Sequence, residues 1–211
     1  MGRGEQLLND AIRDVGLDPA SALPSEIYER QTDIRRILAA RNDKEVLKTK
    51  KGFPAATTGW ITERICQYGL QSVIPDSYSR LGRDEKWIAD FNVIGYPVGA
   101  VISVKSFTAK ERLLASALGM ILVPTIGFGW FKNADEFKAI RCVSYRDRGF
   151  LAIYMPEETL AAVDVEARSA RNINGTLLLR GVLDMPGDFR AATHCCRYGQ
   201  RTLHALNTRK L

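Results

Sequence analysis

Trp87-Ile-Ala-Asp90-Phe-Asn-Val-Ile94 and, shortly after it, Ala100-Val-Ile-Ser103-Val-Lys105-Ser106 decide how this chain is expected to fold. Both runs have strand length and β-branched and aromatic content, so 87–94 and 98–105 read as two strands. Gly95-Tyr96-Pro97 is a hairpin-length connection between them. Side chains alternate faces along a strand, so Ser103 and Lys105 share one face, and Ile102 and Val104 point the other way. A twisted hairpin brings Asp90, in the middle of the first strand, beside that pair.

Outward from this hairpin, Trp60 to Tyr68 reads as a helix capped by Thr57 or Thr58 and ended near Gly69, and Leu70 to Ile74 as a short strand. Thr108-Ala-Lys-Glu111 is a capping box that opens another helix. Ile121 to Phe131 returns as a buried strand. The core order over 60–131 is therefore helix, strand, strand, strand, helix, strand: an α/β fold with a central mixed sheet flanked by helices. Before it, Glu5 to Val15 and Glu26 to about Lys48 (capped by Ser25) read as amphipathic helices, and 48–59 as a basic loop. After it, Ala139 to Tyr145 and Phe150 to Met155 read as a hairpin. Pro156 stands where a helix begins, with Glu157 and Glu158 in its first turn. Asn174-Gly175 marks a tight turn before Thr176 to Leu183. The expected organisation is one domain over 1–211: a helical region at 1–50, the core at 60–131, and additions at 139–211.

With 45% hydrophobic and 26% charged residues, the 211-residue chain has the balance of a globular protein rather than a disordered one. Its formal net charge of +6 favours a polyanionic partner. Cys66, Cys142, Cys195 and Cys196 form no C-x-x-C pair, which points to a reduced, cytoplasmic protein. The polar start has no apolar core of a signal peptide. Leu113 to Phe131 carries no charge, but Gly119, Pro124, Gly127 and Gly129 interrupt it. It reads as a helix end and a buried strand, not a membrane span. His194, Cys195, Cys196 and His204 lack zinc-ligand spacing, and Gly127-Phe-Gly129 lacks the ending of a phosphate loop.

An aspartate and a lysine brought together on one sheet suit phosphodiester hydrolysis. A hard cation polarises the phosphoryl oxygen and activates water, Mg²⁺ accepts one or two carboxylates, and a fixed ammonium stabilises the developing charge. The two runs quoted above, in this order of elements, resemble the PD-(D/E)-x-K nuclease superfamily, and within it the type II restriction endonucleases. The resemblance covers about Trp60 to Phe131. It implies a Mg²⁺-dependent homodimer that hydrolyses double-stranded DNA at a short site, with Asp90 as metal ligand and Lys105 as catalytic lysine. Where the family usually has a second acid, this chain has Ser103. Two replacements are open: Glu63 on the helix before the sheet, which is preferred, and Glu111 on the helix after it, which the capping box already employs. Sequence reading is expected from Lys132, Arg146, Arg148, Arg190, Arg197 and Arg201, outside the core strands. The alternatives are a repair or junction-resolving nuclease of the same superfamily, or a non-catalytic DNA-binding module, which Ser103 motivates. Pro75-Asp76 reads as turn chemistry, and Asp84-Glu85-Lys86 as a solvated run.

Overall fold

The computed structural model describes residues 2–82, 84–86, 88–94, 99–107, 113 and 124–197, with backbone alone for 192–197. The chain divides into two compact units, Met1–Ser72 and Val73–Leu211.

The first unit is helical: α1 (Arg3–Asp14), α2 (Pro24–Glu29), α3 (Gln31–Thr49) and α4 (Ala55–Gln71). Leu8 and Ile12 of α1, Ile27 of α2, Ile34 and Leu38 of α3 and Ile61, Ile65 and Leu70 of α4 are its buried apolar residues. Arg3 to Glu45 (2.9 Å) and Arg41 to Asp14 (2.8 Å) pin α1 to α3. Several expectations are corrected here. The helix expected from Glu26 starts instead at Pro24, where the Glu26 carboxylate accepts the Leu23 amide at 2.7 Å, so Ser25 is not the cap. It breaks at Arg30 before α3. The basic loop shrinks to a short turn because α3 runs to Thr49 and α4 already begins at Ala55. The strand at 70–74 is absent: α4 continues through a buried Gly69 to Gln71. Helical structure thus extends well past residue 50.

The second unit holds a six-stranded sheet in sequential order: β1 (Tyr78–Arg80), β2 (Phe91–Val93), β3 (Ala100–Lys105), β4 (Thr125–Gly129), β5 (Phe150–Met155) and β6 (Leu179–Gly181). β1, β2 and β3 are antiparallel neighbours, and β3 to β6 run parallel. The β2–β3 pairing is the expected one, with Phe91 opposite Ile102. Asp90 stands one residue before β2 rather than in mid-strand. The connection at 95–98 and the helix expected from Thr108, Glu111 included, lie outside the described residues. β1 falls between the Pro75-Asp76 turn and the run at 84–86, where no strand is expected from the sequence. It is an edge strand, and its Ser79 and Arg80 are exposed, so it carries little of the apolar signal of a buried strand.

Helices α5 (Ala139–Asp147), α6 (Glu157–Ala162), α7 (Val165–Arg168) and α8 (Met185–Arg197) complete the unit. The expected hairpin at 139–155 is therefore wrong in its first arm. Cys142 and Tyr145 are buried three residues apart, and Ile140 and Val143 are exposed, a helical rather than an alternating pattern. β5 and β6 belong to the central sheet, although the sequence places them among the additions at 139–211. The Asn174-Gly175 turn forms, closed by a bridge between Arg171 and Leu177, with Gly175 at φ 81°. The strand after it joins β5 in parallel instead of extending a hairpin.

The core on the α5 side gathers Phe131, Phe137, Tyr145, Phe150, Ile153 and Leu178. Tyr145 has no exposed surface, its hydroxyl has no hydrogen-bond partner among the described residues, and burial pushes that hydroxyl above the ordinary tyrosine range. A buried hydroxyl left unpaired is unfavourable by about 1–3 kcal/mol. Tyr145→Phe is accordingly expected to unfold at an equal or higher urea concentration, with a gain on the order of 1 kcal/mol. A loss of stability in that titration would contradict the assignment.

Candidate active site

The site grows from the end of β3. Ser103 and Lys105 lie on one face, as alternation requires: the Lys105 ammonium donates to Ser103 Oγ at 2.7 Å and to the Val104 carbonyl at 3.0 Å. Ser103 is fully buried and Lys105 nearly so, with 16% of its side chain exposed. The ammonium is thus held on a rigid strand by two acceptors, as a group that must stand beside a phosphate needs to be.

Backbone pairing delivers Asp90 to the same place. Its amide donates to the Ile102 carbonyl at 2.9 Å, and its Oδ2 accepts the Val104 amide at 2.7 Å. Lys105 Nζ lies 3.9 Å from that same Oδ2. The other oxygen, Oδ1, lies 4.0 Å from the ammonium of Lys86. Gly129 of β4 sits opposite Lys105, and a side chain there would come within 2.5 Å of the Lys105 carbonyl and of the Phe131 ring. Glycine at 129 therefore permits the close approach of β4 to the end of β3.

Lys86 is the residue that the sequence reading missed. The sequence reads it as part of a solvated run, yet its spacing of four from Asp90 is the available signal, since 84–86 form a turn and not the start of a strand. The turn is fixed by Glu85, whose carboxylate accepts the Gly82 amide at 3.1 Å and whose carbonyl accepts the Ile88 amide at 2.9 Å.

Glu63 is half-buried on α4 in the helical unit, and Glu111 lies outside the described residues. Among the described residues no group of three or more His, Cys, Asp or Glu side chains is placed to hold a metal ion. Lys132 is exposed, its ammonium 4.5 Å from the centre of the Phe107 ring. It follows the end of β4, which is parallel to β3, so it stands at the same end of the sheet as Lys105. Trp130 and Phe131 beside it are buried and present no surface for stacking. Arg146 and Arg148 precede β5, at the end where β4 and β5 begin. That is roughly 13 Å from the level of Lys105, at about 3.3 Å per residue. Arg146 pairs with its neighbour Asp147 at 3.0 Å. Arg190 is exposed on α8, Arg197 ends that helix, and Arg201 lies outside the described residues. Among the described residues no helix is long and apolar enough to cross a membrane. The stretch ending at Phe131 contains the buried strand β4 instead.

The strand order and flanking helices define a restriction-endonuclease-like α/β fold. A solved structure of the restriction endonuclease PspGI in complex with substrate DNA is similar to this chain, with a TM-score of 0.52 and 13% identity, over 89% of this chain and 92% of that one. No family model and no curated protein matches the sequence.

Proposed function

We propose that this chain is a Mg²⁺-dependent endonuclease of the type II restriction kind, cutting double-stranded DNA at a short site as a cytoplasmic homodimer. The observation that carries the reading is the Asp90–Lys105 pair, brought within 3.9 Å at the end of β3 on a restriction-endonuclease-like sheet.

The donor set suits a hard cation. Asp90 offers a carboxylate with one oxygen anchored to a backbone amide, and Mg²⁺ needs only one or two protein carboxylates when substrate phosphate and water complete its shell. Asp90 would hold the ion, which when bound polarises a phosphoryl oxygen and lowers the pKa of water. The chain's own residues do the rest. Lys105 presents a fixed positive charge to the phosphoryl group as negative charge develops on it. Ser103 brings no charge, but its buried hydroxyl orients that ammonium. For the second carboxylate, Glu63 ranks ahead of Glu111.

Digestion of plasmid and phage DNA with Mg²⁺ is the test, and discrete fragments are the expected result. Cleavage confined to branched or damaged DNA would favour the repair or junction-resolving alternative. DNA binding with no cutting in Mg²⁺ or Mn²⁺ would favour the non-catalytic module.

Recognition is assigned to the group Lys132, Arg146, Arg148, Arg190, Arg197 and Arg201. An arginine that binds guanine with two hydrogen bonds discriminates by about 1–3 kcal/mol, whereas a phosphate contact weakens all sequences alike and lowers the salt dependence. Lys132, at the Lys105 end of the sheet, is expected to behave as a phosphate contact. Its alanine variant should lose affinity equally for specific and scrambled duplexes. At least one arginine variant should lose affinity for the specific duplex alone. Uniform losses across all six variants in a salt series would remove these residues from sequence reading.

A further inference from the structure

We propose that Lys86 is the resident counter-ion of Asp90, occupying the side of the carboxylate where the divalent cation binds, and that it must swing away for the metal to be held. The inference rests on the metal-dependent reading above.

The two oxygens of Asp90 are engaged differently. Oδ2 is committed to the fold, since it accepts the Val104 amide at 2.7 Å and has Lys105 at 3.9 Å. Oδ1 is the oxygen turned toward Lys86, at 4.0 Å. A cation that binds Asp90 without disturbing the amide contact of β3 meets least competition on the Oδ1 side, where the Lys86 ammonium stands.

The two lysines differ as much as the two oxygens. Lys105 is 16% exposed and donates two short hydrogen bonds. Lys86 is 40% exposed and meets Asp90 at a distance too long for a hydrogen bond. Its contact with Asp90 is a loose Coulombic one, and a flexible four-carbon stem carries the charge. The backbone of its turn is tied separately through Glu85, so the side chain can rotate outward while the turn stays in place.

Charge supplies the direction of the effect. Two ammonium groups stand about 4 Å from the Asp90 carboxylate, at 4.0 Å and 3.9 Å. A divalent cation on Oδ1 would then sit a few ångströms from Lys86, and the repulsion of +2 with +1 falls off only as the inverse of distance. Of the two lysines, the one that can retreat is Lys86. Metal affinity is thus set partly by a residue that binds no metal.

The experiment is a titration with Mn²⁺ alone, without DNA at low ionic strength, counting free ion by electron paramagnetic resonance. The proteins are wild type, Lys86→Met, Lys86→Gln, Lys86→Arg and Asp90→Asn, each checked by thermal melting. Removing the charge should tighten Asp90-dependent Mn²⁺ binding by about tenfold in both neutral variants. Lys86→Arg should stay near wild type, and Asp90→Asn should lose the site. If wild type shows an Asp90-dependent site and the neutral variants bind Mn²⁺ no more tightly, the role of Lys86 is overturned and the metal reading stands. If no variant shows an Asp90-dependent site, both fall.

Discussion

Asp90→Ala protein should cut DNA about a thousandfold more slowly than wild type, or not measurably, while keeping most of its affinity for DNA. The carboxylate is the group that the strand pairing brings beside Lys105. Alanine has a second effect. It leaves the Val104 amide without its acceptor and Lys105 without its nearby anion, which could lower stability by about 1–3 kcal/mol. Asp90→Asn separates the two effects, because its amide oxygen can still accept from Val104 while its charge is gone. Both variants should be inactive, and the asparagine variant should melt close to wild type. Undiminished cleavage by either purified protein would remove the proposed site. The same assay ranks the second carboxylate. Glu63→Gln is expected to be far less active than Glu111→Gln, for which losing the capping box expected from the sequence should cost only about 0.5–2 kcal/mol of stability. A dead but normally melting Glu111→Gln protein would reverse that assignment.

The legible part of this site is the part set by local rules. Alternation along one strand puts Ser103 with Lys105, and antiparallel pairing of adjacent strands leaves Asp90 opposite them, so a few residues of sequence suffice. Lys86 was not legible in the same way, because its position follows from a turn whose geometry depends on the Glu85 carboxylate capping Gly82. Segment 139–145 misled for a different reason. Ile140 and Val143 have strand-forming side chains, but the sheet already has its strands, and the burial of Cys142 and Tyr145 selects a helix. Gly69, read as a helix stop, is buried inside α4. The succession β2, β3, β4 was readable, since each is an apolar run, whereas the strand expected at 70–74 is helix α4 and its end. The edge strand β1 was not, because it pairs on one side only and its exposed residues are polar.

The buried network around Asp188 was also missed, although Arg180 inside the apolar run Leu177-Leu-Leu-Arg-Gly-Val182 was a signal that a partner had to exist. Arg180, Asp188 and Tyr154 are all at most 4% exposed. The Arg180 guanidinium meets Asp188 Oδ2 at 2.7 Å and donates to the Leu177 carbonyl at 3.0 Å and to Thr176 Oγ1 at 3.1 Å. Tyr154 donates its hydroxyl to the same Asp188 oxygen at 2.9 Å. Burial first, and then the Asp188 carboxylate, push that hydroxyl well above the ordinary tyrosine range, so it stays protonated and remains a donor. The network joins β5, β6 and α8. Asp188→Ala is expected to destabilise the protein by about 3–5 kcal/mol, because it takes from a buried guanidinium the carboxylate 2.7 Å away. Replacing both partners by apolar residues, Arg180→Met with Asp188→Leu, removes the unpaired charge and should recover most of that loss. Equilibrium urea unfolding of the single and double variants measures both effects. A single variant within about 1 kcal/mol of wild type would show that Arg180 finds another partner or reaches water. A double variant no more stable than the single would mean that the network's geometry, rather than its charge pairing, holds α8 to the sheet.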